Sequence, residues 1–257
     1  MWKIHKIISN RYIIIFTSLF FFSCNNQDVT ELKIDDSIID TVLIKEFKTV
    51  KEVCIGELES VLINNKLIDI QSIDSTILID VRYSTLNNFM KEDVYGDLEK
   101  IYLQKTVAID LKKCNDYLKT IDSTLILLVY DGVRPRSVQQ KMWNSLDMPI
   151  NEKIKFVSNP KNGSIHNYGC AVDLTIAYLN GDTLDMGAGY DDIRKIAYPR
   201  HEAKFLKNGT LTLQQVENRK LLRKVMKNGG FYNIETEWWH FNRYNRSTAK
   251  SLFNIIE

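Results

Sequence analysis

Histidine is scarce in this chain of 257 residues: only His5, His166, His201 and His240 occur. Two of them sit in short segments rich in other groups that bind metals or move protons. One segment is Ser164-Ile165-His166-Asn167-Tyr168-Gly169-Cys170-Ala171-Val172-Asp173; the other is Glu237-Trp238-Trp239-His240. Together they offer two imidazoles and a carboxylate as metal ligands, with one carboxylate to spare. Zinc favours this mixture, and three protein ligands leave a fourth position open for water, as in a catalytic site. Zinc lowers the pKa of such a water to about 7. A carboxylate that is not a ligand can then take the proton and pass it to a leaving amine. Glu237, preceding His240 on the same short segment, is the candidate for that role. Cys170 reads as a small filler, because no histidine is spare to act as its base. His201 lies in a polar stretch (Pro199-Arg200-His201-Glu202) and reads as a surface or substrate-loop residue.

Taken together, the two segments resemble the zinc D-alanyl-D-alanine dipeptidase family, within a larger group of D,D-peptidases that share an SxHxxGxAxD pattern. Ser164, His166, Gly169, Ala171 and Asp173 match that pattern, and Glu237, Trp239 and His240 match ExWH. The resemblance implies one Zn2+ per chain bound by His166, Asp173 and His240, with Glu237 as general base. Asp131-Gly132-Val133-Arg134-Pro135 matches a DGxRP element whose arginine, here Arg134, stabilises the oxyanion. Arginine's permanently charged fork suits that task. Met186-Gly187 through Tyr190-Asp191 matches a segment whose aspartate, here Asp191, binds the substrate's free amino group. Ser164 is implied as a donor to the substrate carboxylate. Asp80-Val81-Arg82-Tyr83 with Asn88-Phe89, and Asn218-Arg219 with the helix that follows, match as well. The implied reaction is hydrolysis of D-alanyl-D-alanine to two D-alanines, and the implied partner is a small D-amino-acid dipeptide.

Other readings of the same residues stay open. Arg134 can serve only to pair with Asp131, Asp191 can cap the segment Asp192-Ile193-Arg194, and Glu237 can be a surface charge at a strand edge. Two rival functions stand beside the first. A zinc D,D-carboxypeptidase or endopeptidase on longer wall peptides shares the first pattern, but typically has Pro where this chain has Trp238. A non-catalytic wall-binding zinc module predicts loss of the general base or the oxyanion arginine, yet Glu237 and Arg134 are both present.

These groups need elements to hold them. Ile77–Val81, Leu125–Tyr130 and Cys170–Tyr178 read as strands, with a hairpin signal at Asn180-Gly181-Asp182. Glu237–Asn242 is the last strand expected, with one of Trp238 and Trp239 in the core because side chains alternate along a strand. Thr106–Ile121 has Val107, Ile109, Leu111 and Leu118 for an amphipathic helix. Ser137–Leu146 looks helical, and Gln214–Lys227 is a second good helix stopped by Gly229-Gly230. Interspersed strands and helices with hairpin connections predict an α+β fold, with a largely antiparallel central sheet flanked by helices.

Residues 1–23 read as a lipoprotein-type signal peptide: Lys3, His5, Lys6 and Arg11 precede an apolar run from Tyr12 to Phe22. The run matches an h-region and is too short to span a bilayer. Cys24 is the expected lipidated N-terminus and the one expected membrane contact. The alternative is a retained anchor helix; either way the mature domain faces the periplasm or cell envelope. Residues 24–60 read as tether and lead-in, and 61–257 as the peptidase domain. Lys and Arg (34) nearly balance Asp and Glu (32), so no basic patch points to nucleic acid. Cys54, Cys114 and Cys170 form no CxxC pattern, which removes a cysteine zinc site and a redox motif.

Overall fold

Two largely apolar runs, Leu-Ile-Leu-Leu-Val-Tyr and Ala-Val-Asp-Leu-Thr-Ile-Ala-Tyr, the second interrupted by Asp173 and Thr175, become the two longest strands and the centre of the sheet. The structure, a computed structural model, describes residues 56–257 apart from 155 and 156. The signal segment, Cys24, Cys54 and most of the tether therefore lie outside the described residues. In chain order the elements are α1 (Glu57–Asn64), β1 (Ile68–Asp69), α2 (Ile70–Ile73), β2 (Leu78–Ile79), β3 (Tyr102–Leu103), α3 (Lys105–Ile121), β4 (Leu125–Asp131), α4 (Arg136–Ser145) and α5 (Ile150–Lys153). They continue with β5 (Ala171–Tyr178), α6 (Glu202–Lys207), α7 (Leu213–Asn228), β6 (Tyr232–Asn233), β7 (His240–Asn242) and α8 (Arg246–Leu252).

Five strands form one sheet in the order β2-β4-β5-β7-β6, and β1 pairs with β3 apart from it. Only β2–β4 is parallel; β4–β5, β5–β7 and β6–β7 are antiparallel. The fold is thus α+β with a largely antiparallel sheet, as the sequence predicts. A register shift falls between Val129 and Asp131, after which Asp131 opposes Asp173, and Asp173 in turn opposes His240. Side chains directly opposite on neighbouring strands stand about 4.5–5.5 Å apart at Cβ. One row across three strands therefore gathers three of the groups singled out in the sequence.

The helices follow from buried faces. In α3 the buried apolar residues are Val107, Ala108, Leu111, Cys114 and Leu118, whereas Ile109, expected on that face, is 39 % exposed. Residues two apart on a helix point in different directions, so Ile109 cannot share the stripe of Val107 and Leu111. The α7 helix starts in a capping box between Thr212 and Gln215 and buries Val216, Arg219, Leu222, Val225 and Met226.

Three expectations change. The strand expected over 77–81 is confined to β2. The last strand begins at His240, because 237–239 bend before it. Freed from strand alternation, Trp238 and Trp239 are both buried, packed edge to face at 5.5 Å.

Candidate active site

The row Asp131–Asp173–His240 lies beside a short 3₁₀ turn, His166–Tyr168, that ends in the left-handed Gly169 and leads directly into β5. That turn brings His166 over the sheet. His166 Nε2, His240 Nδ1 and Asp173 Oδ1 then converge, with separations of 3.1, 3.3 and 3.0 Å. Four ligands at about 2.0–2.1 Å in tetrahedral array would lie roughly 3.3 Å from each other. The triangle fits one zinc-sized cation, and each of its atoms is a donor zinc accepts.

The imidazole nitrogens pointing away from the triangle are also engaged. His166 Nδ1 donates to the Gly132 carbonyl at 2.6 Å, and His240 Nε2 to Asn242 Oδ1 at 3.0 Å. Such partners fix tautomer and ring orientation in metal-binding histidines. The third group, Asp173, has one carboxylate oxygen in the triangle; the other lies 3.3 Å from the Tyr190 hydroxyl, which donates to it, and 3.6 Å from Arg134 Nη2. Burial alone would raise Asp173, but His166 and His240 hold its carboxyl well below the usual range.

Glu237 stands beside the triangle, its Oε2 3.8 Å from His240 Nδ1. Burial in the cavity raises its carboxyl to about 7, opposed by His240 and reinforced by Asp173 and Asp191. A carboxyl so poised suits proton exchange near neutral pH.

Arg134 is buried and donates through Nε and Nη2 to Asp131 Oδ2, at 3.1 and 2.6 Å. Its guanidinium carbon lies 5.1 Å above the Tyr83 ring. Burial would lower its pKa, but Asp131, Tyr83, Tyr95 and Asp173 together outweigh it and keep the group charged. The pairing with Asp131 and a place on the cavity wall thus coexist. Asp131 also accepts from the Tyr95 hydroxyl at 2.8 Å, so the arginine's anchor is itself held.

The same cavity, of about 260 Å³, is lined by Asp191 as well as by the triangle, Glu237 and Arg134. Asp191 does not cap the segment after it; Asp192 accepts from Arg194 N instead. The Asp191 carboxylate accepts from the Tyr83 hydroxyl at 3.2 Å and from Phe89 N at 3.4 Å. Burial raises it to about 7, with a further push from Asp173 and opposition from Arg134. The Asp80–Phe89 motif accounts for both of its partners. Asn88 Nδ2 donates to the carbonyls of Arg82, Thr85 and Glu92, folding that loop so Tyr83 and Phe89 reach the cavity.

Ser164 lines the cavity, but its hydroxyl donates to Gln139 Oε1 at 2.6 Å, while Gln139 Nε2 donates to the Ser158 carbonyl at 2.6 Å. His201 is half-buried and stacks on Tyr198, a wall residue, at 5.9 Å. Cys170 is fully buried and its thiol is pushed up to about 12 by burial, an inert filler. Cys114 is likewise free and buried.

A family model described as D-ala-D-ala dipeptidase, of the peptidase M15 type, matches residues 63–257. The chain belongs to the D-Ala-D-Ala dipeptidase family. It is 31 % identical over 176 residues to the D-alanyl-D-alanine dipeptidase of Escherichia coli K12, covering 68 % of this chain and 83 % of that one. The Enterococcus faecalis D-alanyl-D-alanine dipeptidase is 27 % identical over 191 residues, covering 68 % and 90 %. The Streptomyces coelicolor protein of the same name is 28 % identical over 182 residues, covering 65 % and 86 %. As a member of this family the chain is a peptidase, and family members are zinc-dependent in general. Within that family frame, sequence reasoning singles out the triangle, Glu237, Arg134 and Asp191 but gives no role to Asn242, Gln139 or Tyr190. The only signal for Asn242 was its position two residues beyond His240, on the same face of a strand.

Proposed function

We propose that this chain hydrolyses D-alanyl-D-alanine to two D-alanines, with zinc held by His166, Asp173 and His240 and Glu237 as general base. What carries the reading is the three-atom triangle with edges of 3.0–3.3 Å and Glu237 beside it. Zinc bound there supplies Lewis acidity and an acidified water.

This chain's own residues do the rest. Glu237 accepts the proton of the attacking water and delivers it to the departing amine, crossing from carboxylate to carboxylic acid and back. Arg134, fixed by Asp131 and by the Tyr83 ring, offers positive charge to the scissile carbonyl oxygen as charge develops on it. Asp191 takes the ammonium of an unblocked dipeptide; an arriving cation favours its ionised form. Ser164 lies on the wall for the substrate carboxylate, its hydroxyl turning from Gln139, buried behind it, to donate to that ligand. Trp239, backed by Tyr190 at 5.5 Å, adds an apolar surface to the wall.

The site is tested by zinc titration and D-alanine release in Glu237→Ala and His166→Ala. Glu237→Ala keeps zinc and loses about 10²–10⁴ in kcat; His166→Ala loses zinc. Wild-type turnover in Glu237→Ala rejects the assignment of the base.

The export reading belongs to the same proposal. A lipoprotein anchored at Cys24 in the envelope acts on dipeptide released from the cell wall rather than on a cytoplasmic precursor. Replacing Cys24 by Ala should move the enzyme from the membrane fraction to the soluble one; unchanged fractionation rejects the anchor.

A further inference from the structure

Arg219 is fully buried, in the row of α7 that also carries Val216, Leu222 and Met226. Its one ion pair among the described residues is long and shared. Glu202 Oε1 is 3.6 Å away, but both Glu202 oxygens accept from Arg223, at 2.8 and 2.7 Å. Arg219 Nη2 has no hydrogen-bond partner among the described residues. A buried charge so incompletely paired is costly, which draws attention to what the side chain does hold. Its Nε donates to the Met186 carbonyl at 2.6 Å and its Nη1 to the Ile196 carbonyl at 3.0 Å.

Those two carbonyls mark the ends of the cavity loop that carries Tyr190 and Asp191. Among the described residues, no backbone-to-backbone hydrogen bond ties 187–193 to a neighbouring element. Yet Asp191 has φ +61°, a left-handed conformation uncommon outside glycine and one that surroundings must enforce. The first end of the loop is gripped further by the same helix. Asn218 Nδ2 donates to the Asp185 carbonyl and Gln215 Nε2 to the Asp185 carboxylate, both at 2.8 Å. At Gly187, φ +75°, a Cβ would fall 2.3 Å from Leu211 and 2.9 Å from Gln215 Oε1, so loop and helix are in direct contact there.

We propose that Arg219 is the positioning residue of the substrate-anchoring loop. By holding both loop ends on one rigid fork it fixes Asp191 against Tyr83 and Phe89, and so sets selection for a free amino terminus. The second half rests on the reading of Asp191 as the amine anchor. Lysine cannot replace it, because a single ammonium does not reproduce a fork that spans two carbonyls.

The test uses the full zinc-loaded chain as Arg219→Lys, Asp191→Asn and the double variant, with D-Ala-D-Ala as substrate and amide hydrogen exchange read in parallel. Arg219→Lys should accelerate exchange selectively in residues 187–195 and lower kcat/KM on the order of 10²-fold, mostly through KM, with zinc affinity unchanged. In the Asp191→Asn background the same change should cost little more, because both losses pass through one contact. Losses that multiply in the double variant, or a fall in kcat alone, overturn the link to Asp191. Unchanged exchange in 187–195 overturns the clamp itself, whether or not the wild type hydrolyses the dipeptide, so failure of the functional reading is separable. If Arg219→Lys does not fold, Asn218→Ala frees the adjacent Asp185 carbonyl and should produce a smaller shift of the same kind; no shift in exchange or KM counts against the proposal.

Discussion

Asn242 Oδ1 lies 3.0 Å from His240 Nε2, on the side of the imidazole opposite the triangle. The two residues are separated by one position on β7, so their side chains share a face, and Asn242 is buried. The amide oxygen accepts the Nε2 proton and leaves Nδ1 with a lone pair for a cation. On the proposed centre, Asn242→Leu should weaken zinc binding about 10–100-fold, read by competition with a chromophoric chelator. Asn242→Asp, which keeps an acceptor in place, should restore most of the affinity. Equal affinities in all three proteins would remove Asn242 from the centre.

Gly132 does for His166 what Asn242 does for His240, through its backbone. A Cβ on Gly132 would meet Ile101 Cγ2 and the Tyr102 carbonyl oxygen, each at 2.7 Å. Gly132→Ala therefore has to move the carbonyl that holds His166 Nδ1. The expected cost is about 1–3 kcal/mol of stability, seen as a lowered Tm, together with weaker zinc binding. A variant that melts and binds zinc like the wild type contradicts this coupling.

Arg134 makes two hydrogen bonds to one Asp131 oxygen and stacks on Tyr83. A lysine keeps the charge but not the fork or the stacking. Arg134→Lys should lower kcat about 10²–10³-fold while KM for the dipeptide changes less. A loss confined to KM would place Arg134 in substrate binding rather than at the developing charge.

Acid should destabilise the fold through three carboxylates far from the site. At Glu59, Asp74 and Asp110 burial alone raises the pKa, but hydrogen bonds and nearby cations outweigh it and leave each lowered. The partners are Lys100 and Tyr102 for Glu59, Thr76 and Asn115 for Asp74, and Lys113 and Arg243 for Asp110. Unfolded Asp and Glu titrate near about 3.9 and 4.3. With folded values lower still, the unfolded chain binds more protons, so the stabilisation is present above that range and fades as pH falls through the folded values. Urea midpoints should hold from neutrality to about pH 5 and drop below it. Glu59→Gln should flatten that drop; an unchanged slope would show that Glu59 carries none of it.

How much of this is legible in the sequence differs from residue to residue. The triangle is legible because its members lie in two short segments, and the strand pairing Asp173↔His240 closes the distance between them. The run Leu125–Tyr130 announces a buried strand because it is short, continuous and bounded by turn residues. Gln139 and Arg219 are not legible in the same way. Gln139 meets Ser164 across 25 positions of sequence, and Arg219 meets Met186 across 33. Contacts at that range are set by how α4 and α7 pack, which local pattern does not encode. Arg219 did leave a trace: it falls on the buried row of α7, where a solvent-facing arginine does not belong. The expectation that one of Trp238 and Trp239 packs in the core falls short, since the bend before His240 removes the strand alternation it rests on and both are buried.

The most direct measurement is D-alanine release by the zinc-loaded protein from free D-Ala-D-Ala, beside the same assay on N-acetylated D-Ala-D-Ala. With Asp191 on the wall of the cavity that holds the triangle, D-alanine should come from the free dipeptide and not from the acetylated one. Release from the acetylated peptide alone would contradict the account, leaving Asp191 without an ammonium to bind and making the enzyme a carboxypeptidase.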